Sequence, residues 1–443
     1  MGRTGEALVR FLLDRGARVT ATDNRPAHRL ADVLERLAGL PVDMQLGGHD
    51  RQLVADADLV VLSPGVAHTL DCLALVRKRN VPVIGEIELA GRYIDEPLVA
   101  VTGTNGKSTT TRLLAEMLAH SGKSVFLGGN IGRPLIEYVS ENKPADVVVA
   151  EVSSFQLDTI VHFRPDVGVL LNITPDHLDR YADFEAYARS KARLFENQSA
   201  ADTAVLNAAD PVVARVTKGI KSRRCTFNEK GPKECSAVLS DPGILIRTPE
   251  AGSMVIDKQM VPLALAGRHN LENAAAAALA ALAAGGGPEG IMSALAGFSP
   301  DPHRLAHVAT LSGVKYYDDS KGTNVDAAAR AVEAMDGPVI LIAGGRDKLG
   351  GYEALREPVR KHVKALVVIG EAAEAISRGL GDLVETRRAR SMAEAVKTAA
   401  GLAGPGDNVL LSPACASFDM YDNYAARGED FQRAVRLLEK RGL

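Results

Sequence analysis

Short apolar runs rich in valine, isoleucine and leucine recur along this chain, each followed by a turn and a stretch with helical spacing. Leu98–Thr102, Asp146–Val152, Val167–Ile173, Val339–Ala343, Ala365–Ile369 and Asn408–Leu411 are the clearest. Continuous rather than alternating runs fit strands buried on both faces. Their alternation with helical stretches predicts parallel sheets with crossover helices, an α/β fold. The runs fall into three blocks. The first has strands at Arg18–Asp23 and Leu59–Leu62 and a helix at Glu6–Arg15, the second starts near Tyr93, and the third follows the Gly297–Pro302 turn. The expected domains are therefore 1–92, 93–298 and 299–443, and 443 residues are too many for one compact core. Periodicity weakens between Ala204 and Leu263, where short strands and turns predict a small β subregion inside the central block.

Composition narrows the class. An apolar share of 46% with 24% charged residues suits a soluble globular enzyme. A net charge of -3, with basic and acidic residues interspersed, gives no field for a nucleic-acid backbone, so no nucleic-acid partner is expected. The opening Met1-Gly2-Arg3-Thr4-Gly5 has no secretory pattern, and the alanine-rich run Ala274–Ala284 is too short to span a bilayer. It predicts a buried helix, and the chain is expected in the cytoplasm without membrane partners. The four cysteines show no metal-ligand spacing. Cys225 and Cys235 lie near enough for a local disulfide, but reduced thiols are the simpler expectation.

Chemistry enters at Gly103-Thr104-Asn105-Gly106-Lys107-Ser108-Thr109, between the strand Leu98–Thr102 and a helix from Thr110 to His120. Strand, glycine loop and helix N-terminus together make a phosphate cradle of backbone N–H groups. Lys107 would reach the β- and γ-phosphates of ATP, and Ser108 would ligate Mg²⁺. The loop is a shorter variant of the general form, with Val101 where a glycine is usual. A chance Gly-Lys-Ser turn is the alternative.

Ligands of open α/β sheets collect at the carboxyl ends of the strands. Glu151 ends one strand, and His177, flanked by Asp176 and Asp179, lies just after another. With parallel strands these groups share an edge with the loop, where a carboxylate and an imidazole would hold Mg²⁺. Taken singly, Glu151 reads as a hydrogen-bonded strand end and His177 as an ordinary turn residue. On the expected helix Phe184–Phe195, Lys191 falls inside the apolar stripe of Phe184, Tyr187, Ala188, Leu194 and Phe195. Periodicity alone favours a lysine whose stem lies on the stripe while its ammonium reaches out. A buried amine would instead be neutral more easily and able to add CO₂ as a carbamate, a second oxygen ligand for metal.

In this order the stretches resemble the Mur ligase family of bacterial cell-wall enzymes. The phosphate loop, Glu151-Val152-Ser153-Ser154-Phe155-Gln156-Leu157, Asn172 to Tyr181, Gly267-Arg268-His269-Asn270 with Asn273, and Pro302-His303-Arg304 carry the resemblance, which spans essentially the whole chain. Leu411 to Asp419, Asn423-Tyr424, Arg427-Gly428, Asp319 to Asn324 and Gly344 to Lys348 look most like the members that add D-glutamate. The resemblance implies a Rossmann-like first domain, a P-loop ATPase-like central one and a Rossmann-like third. It implies an enzyme that uses ATP and two Mg²⁺ ions to join D-glutamate to UDP-N-acetylmuramoyl-L-alanine; a monomer is the expectation, though no residue pattern bears on oligomeric state. Lys191 would be carbamylated and, with Glu151 and His177, hold Mg²⁺. Asn270, Asn273, Arg304 and Asp319 would face the nucleotide, and Thr323, Lys348, Ser417 and Tyr424 would line the D-glutamate pocket. Tyr424 stands where phenylalanine is common. Asn130 would contact the muramoyl substrate.

The first block adds one more expectation. Gly2-Arg3-Thr4-Gly5 looks like a dinucleotide-type turn, with Arg3 and Thr4 placed to meet the UDP diphosphate and Asp23 near the nucleoside. Such a turn follows a central strand, so a Val/Ile-rich strand is expected upstream of Met1; a shortened first domain is the alternative. Three other functions compete. They are a different amino-acid-adding ligase of the family, an NAD(P) enzyme suggested by the partial Gly2-x-x-Gly5 fingerprint, and a catalytically silent nucleotide-binding scaffold.

Overall fold

The computed structural model describes residues 1–141, 143–240, 243–249, 251–257, 267–299, 302–348 and 351–440. Residues 300–301 of the expected boundary turn, and 241–242, 250 and 258–263 of the weakly periodic stretch, lie outside the described residues. Contacts divide the chain into two units. One is Met1–Ile173 with Ala188–Pro262 and Asn270–Phe298; the other is Ser299–Leu443 with Thr174–Tyr187 and Leu263–His269.

The first unit opens with the helix Arg3–Asp14 and two separate parallel pairs. Strand β1 (Val19–Asp23) pairs with β2 (Val42–Leu46), and β3 (Val60–Leu62) pairs with β4 (Val83–Gly85). Each pair packs its own cluster, Val9, Val19, Ala21, Val33 and Leu37 in one and Val54, Leu62, Leu73 and Val76 in the other. Strand β4 runs into the helix Glu86–Gly91, whose two buried acids fasten this block to the central layers. Glu88 Oε2 accepts from the amides of Val161, His162 and Phe163 at 2.8, 2.9 and 2.8 Å, and Glu86 Oε1 from the Ile136 amide at 2.8 Å. Neither acid stood out in the sequence, because helical spacing does not show which backbone amides a carboxylate will meet.

The central sheet contains β5 (Leu98–Thr102), β6 (Val125–Gly129), β7 (Val147–Glu151), β8 (Val167–Leu170), β9 (Thr203–Asn207), β10 (Arg223–Phe227), β11 (Ser236–Leu239), β12 (Gly243–Thr248) and β13 (Gly252–Asp257), in the order β13-β12-β11-β10-β9-β8-β5-β7-β6. Strands β5, β7, β8 and β9 are buried throughout, as their unbroken apolar runs predict. The weakly periodic stretch is an extension of this same sheet: β11 pairs parallel to β10, and β12 and β13 finish the edge as an antiparallel meander. The expectation of reduced thiols is corrected here. Pairing of Thr226 with Ser236 sets Cys225 opposite Cys235, and the two form a disulfide with Cα atoms 4.7 Å apart. Their spacing in sequence could not show that register. The alanine run lies in the helix Arg268–Ala283, fully buried from Ala274 to Ala281. Among the described residues no helix is long and apolar enough to cross a membrane.

The second unit is built on β14 (Ala306–Leu311), β15 (Val314–Asp318), β16 (Val339–Gly344), β17 (Val363–Ile369), β18 (Glu385–Arg388) and β19 (Asn408–Leu411), in the order β14-β15-β19-β16-β17-β18. Among these strands the β14–β15 pairing is antiparallel and the others are parallel. Alternate residues of β16 face opposite layers, Leu341 toward Leu355 and Ile376, Ile340 and Ile342 toward Val396 and Phe431.

Candidate active site

Strand β5 lies between β7 and β8, and its chain leaves the sheet as the loop Gly103–Gly106 before the helix Lys107–His120. Gly103 and Gly106 have φ of 157° and 85°. A Cβ at Gly106 would also run into the side-chain oxygen of Asn273, so conformation and close approach both require glycine. Asn172, just past β8, braces the loop: its Oδ1 accepts from the Asn105 amide at 2.8 Å and its Nδ2 donates to the Asn105 carbonyl at 3.0 Å. The Thr104 amide donates to the Asn172 carbonyl at 2.9 Å. Ser108 and Thr109 are buried in the first turn of the helix.

Two lysines converge on this loop. Lys107 Nζ donates to the carbonyls of Gly103 and Thr104, both at 2.9 Å, and Lys191 Nζ donates to the same Gly103 carbonyl at 2.9 Å. Lys191 is 2% exposed, which overturns the outward-reaching ammonium favoured by periodicity. Its helix, Phe184–Ala192, buries Tyr187 and Ala188 with it, and Leu194 and Phe195 follow in a 3-10 turn. The stripe is packed too deeply for the side chain to exit.

Glu151 ends β7 with Val101 of β5 on one side and Gly129 of β6 on the other, so it shares the carboxyl edge with the loop. Its Oε1 accepts from Asn130 Nδ2 at 2.7 Å, while its buried Oε2 has no hydrogen-bond partner. A carboxyl oxygen left so in a dry place suits a cation. Among the described residues no group of three His, Cys, Asp or Glu side chains could hold a metal. One carboxylate with serine and phosphate oxygens is, however, a usual donor set for Mg²⁺. Asn273 Nδ2 donates to Asn270 Oδ1 at 3.4 Å on the helix beside Gly106. Arg3 lies in the first helical turn and forms a two-pronged pair with Glu137, at 2.7 and 2.8 Å, next to Thr4. Asp23 ends β1, buried and paired with Arg25 at 3.0 Å.

The second unit assembles the remaining residues. His177, with φ 56°, lies on the segment that clusters here. Asp176 beside it accepts from Lys348 Nζ at 3.0 Å, from Asn324 Nδ2 at 3.3 Å and from the His177 amide at 2.9 Å. Asp176 thereby gathers His177 and Lys348, a role its position next to a conspicuous histidine concealed. Asp319 follows β15; its Oδ2 accepts from Ser412 Oγ at 2.7 Å and its Oδ1 from the Leu305 amide at 3.3 Å. Burial pushes its carboxyl up to about 7, against the opposing effects of Ser412 and Arg304. Burial, then Arg330 and Arg304, push the His269 imidazole down to about 4, so it is neutral near pH 7. Thr323 is half-buried at the start of the segment leading to the Val325–Glu333 helix. Ser417 is buried, and Tyr424 is exposed with its ring beside His303. Arg427, quoted from the sequence only as part of a motif, is buried and donates to Ser320 Oγ at 2.9 Å and to the Ser320 and Cys415 carbonyls at 2.8 and 3.1 Å.

A parallel sheet whose central strand feeds a glycine loop, with a lysine opening the following helix, defines a nucleotide-phosphate-using α/β enzyme. The chain belongs to the Mur ligase family. The Mur ligase middle domain matches residues 101–281, the Mur ligase MurD-like N-terminal domain residues 1–85, and the Mur ligase glutamate ligase domain residues 303–415. The UDP-N-acetylmuramoylalanine--D-glutamate ligase of Desulfosudis oleivorans is 49% identical, covering 99% of this chain and 95% of its own. The enzyme of the same name from Desulfatibacillum aliphaticivorans is 47% identical, covering 98% and 96%. In fold the chain is similar to a pseudomurein peptide ligase type C from Methanothermus fervidus, with TM-score 0.63 and 20% identity over 99% of this chain and 98% of that one. It is also similar to the MurF ligase of Thermotoga maritima in complex with ADP, with TM-score 0.62 and 19% identity over 88% and 97%.

Proposed function

We propose that this chain joins D-glutamate to UDP-N-acetylmuramoyl-L-alanine with hydrolysis of ATP to ADP and phosphate, in the cytoplasm, as a monomer supplying a peptidoglycan precursor. Two relatives carrying that name match it end to end at 49% and 47% identity. The observation that carries the chemistry is the convergence of Lys107 and buried Lys191 on one phosphate-loop carbonyl. Domains 1–92, 93–298 and 299–443 divide the work, and the family matches to residues 1–85, 101–281 and 303–415 fall within them.

A carboxylate is a poor electrophile and must first be activated. The alanyl carboxylate attacks the γ-phosphorus of ATP in line, forming an acyl-phosphate and releasing ADP. The neutral amine of D-glutamate then attacks the acyl carbon, the C–O bond to phosphate breaks, and the amine proton passes to His177 or a phosphate oxygen. Gly103 to Thr109 hold the phosphates through backbone N–H groups, and the Lys107 ammonium balances charge on the transferring phosphoryl group. Ser108, Glu151, His177 and a carbamate on Lys191 would hold two Mg²⁺ ions, which when bound neutralise phosphate charge. The Lys191 carbamate forms when its neutral amine adds CO₂ and loses a proton. Asn270, Asn273, Arg304 and Asp319 contact the nucleotide; Arg3, Thr4, Asp23 and Asn130 contact the UDP-muramoyl substrate; Thr323, Lys348, Ser417 and Tyr424 contact D-glutamate.

Phosphate release tests the reading. UDP-N-acetylmuramoyl-L-alanine with D-glutamate should support turnover, and L-glutamate should not. Faster turnover with another amino acid would assign the chain to a different reaction of the family.

A further inference from the structure

Arg304 stands between two residues with left-handed backbones, His303 at φ 63° and Leu305 at φ 45°. Residues with a Cβ visit that region sparingly and persist there when their surroundings over-determine them. Here two consecutive carboxylates do so. Asp318 Oδ2 lies 2.6 Å from His303 Nδ1 and also accepts from Gln432 Nε2 at 2.8 Å, while Oδ1 accepts from the Ser320 amide at 2.9 Å. Asp319 takes the Leu305 amide at 3.3 Å, and the Lys321 amide donates to the His303 carbonyl at 3.0 Å. Asp318 is fully buried and His303 nearly so.

Gly428 completes the arrangement from the helix Tyr424–Lys440. Glycine is a poor choice inside a helix, and nothing in the helix itself calls for it. A Cβ there, however, would run into His303 Nδ1 and come within 2.8 Å of Asp318 Oδ2. The missing side chain makes room for the histidine–aspartate pair.

We propose that Asp318, His303 and Gly428 form a clamp, with the Asp319 carboxylate as its second jaw, that fixes the backbone on both sides of Arg304 and so aims its guanidinium. Asp318 and His303 are positioning residues that act through Arg304. The inference rests on the reading of Arg304 as a contact to the nucleotide phosphates. A histidine–aspartate pair that merely holds two elements together would change stability and leave the chemical step alone.

The test is a set of variants assayed by phosphate release with saturating substrates, each checked for thermal midpoint. Gly428→Ala wedges the pair apart without removing a polar group and improves helix propensity. It should lower kcat about 10- to 100-fold with KM for D-glutamate little changed, and any fall in thermal midpoint from displacing the pair should leave the enzyme folded at the assay temperature. His303→Asn, which keeps a donor toward Asp318, should retain more activity than His303→Ala. In an Arg304→Lys background, Gly428→Ala should cause little further loss. Equal losses in both backgrounds, or a fully active Gly428→Ala enzyme, would overturn the clamp. Wild-type kinetics from Arg304→Lys alone would instead remove the premise about Arg304, and the clamp with it.

Discussion

Two sheet edges of this chain carry buried acids at the ends of parallel strands, and they treat those acids in opposite ways. On the C-terminal sheet Asp318 accepts from Ser320, Gln432 and His303, and Asp319 from Ser412 and Leu305. Arg427 there spends its donors on Ser320 and Cys415. On the central sheet one oxygen of Glu151 is buried with no partner, and the Nζ atoms of two lysines share the Gly103 carbonyl. A buried polar atom left unpaired costs ~1–3 kcal/mol. The first edge is a frame that holds backbone in place. The second leaves a carboxyl oxygen of Glu151 unpaired on the edge where two lysines meet one loop carbonyl.

If that contrast is right, damage at the central edge should hit catalysis, and damage at the C-terminal frame should register first in stability or geometry. The largest effect is expected from Lys107→Ala, with phosphate release falling by about 10²–10³-fold and the fold unchanged by circular dichroism. Activity above a few per cent of wild type would take Lys107 off the phosphates. Lys191→Ala should inactivate nearly as severely, and added formate or acetate should restore part of the rate by standing in for carbamate oxygens. Lys191→Arg should fail, since arginine keeps its charge and cannot add CO₂; an active arginine variant ends the carbamate proposal.

Glu151→Gln should raise the Mg²⁺ concentration for half-maximal rate by roughly tenfold, about 1.4 kcal/mol of lost charge interaction. An unchanged titration would make Glu151 a structural strand end after all. The smallest effect concerns Asp319, whose carboxyl is held up at about 7 by burial. Because the folded state binds this proton more tightly than the unfolded chain does, the stability it confers is full below about pH 4. It is lost as pH rises toward 7. Asp319→Asn removes that slope, so the thermal midpoint of the variant relative to wild type should rise by a few degrees, roughly, between pH 5 and pH 8. A difference that stays flat across this range would mean the aspartate is ionised like any other.

Much of this was legible before folding was considered. The strand–glycine loop–helix unit could be found because its residues are contiguous, and the buried strands because their apolar runs are unbroken. Glu151 was locatable because a parallel strand order places strand ends on one edge. The stretch from Ala204 was harder: its strands finish a large sheet partly antiparallel, and short edge strands lack the continuous apolar signature. The Cys225–Cys235 bond was misjudged for the same reason, since strand register is invisible in spacing.

What the chain specifies locally is therefore the class of chemistry: a loop for phosphates, acids at strand ends, a lysine on an apolar stripe. Helix periodicity could place Lys191 on the buried face but could not say whether its amine escaped, because snorkelling depends on what covers the stripe. Only tertiary packing answered that, by closing the stripe and turning Nζ onto the Gly103 carbonyl. Packing likewise decided that Asp176 gathers Lys348, and that Glu88 takes up three backbone amides. It also decided that Gly428 makes room for a histidine and an aspartate far away in sequence. Hydrogen bonds between distant segments depend on ångström-scale placement of whole elements, whereas apolar period and glycine loops act over a few neighbouring residues.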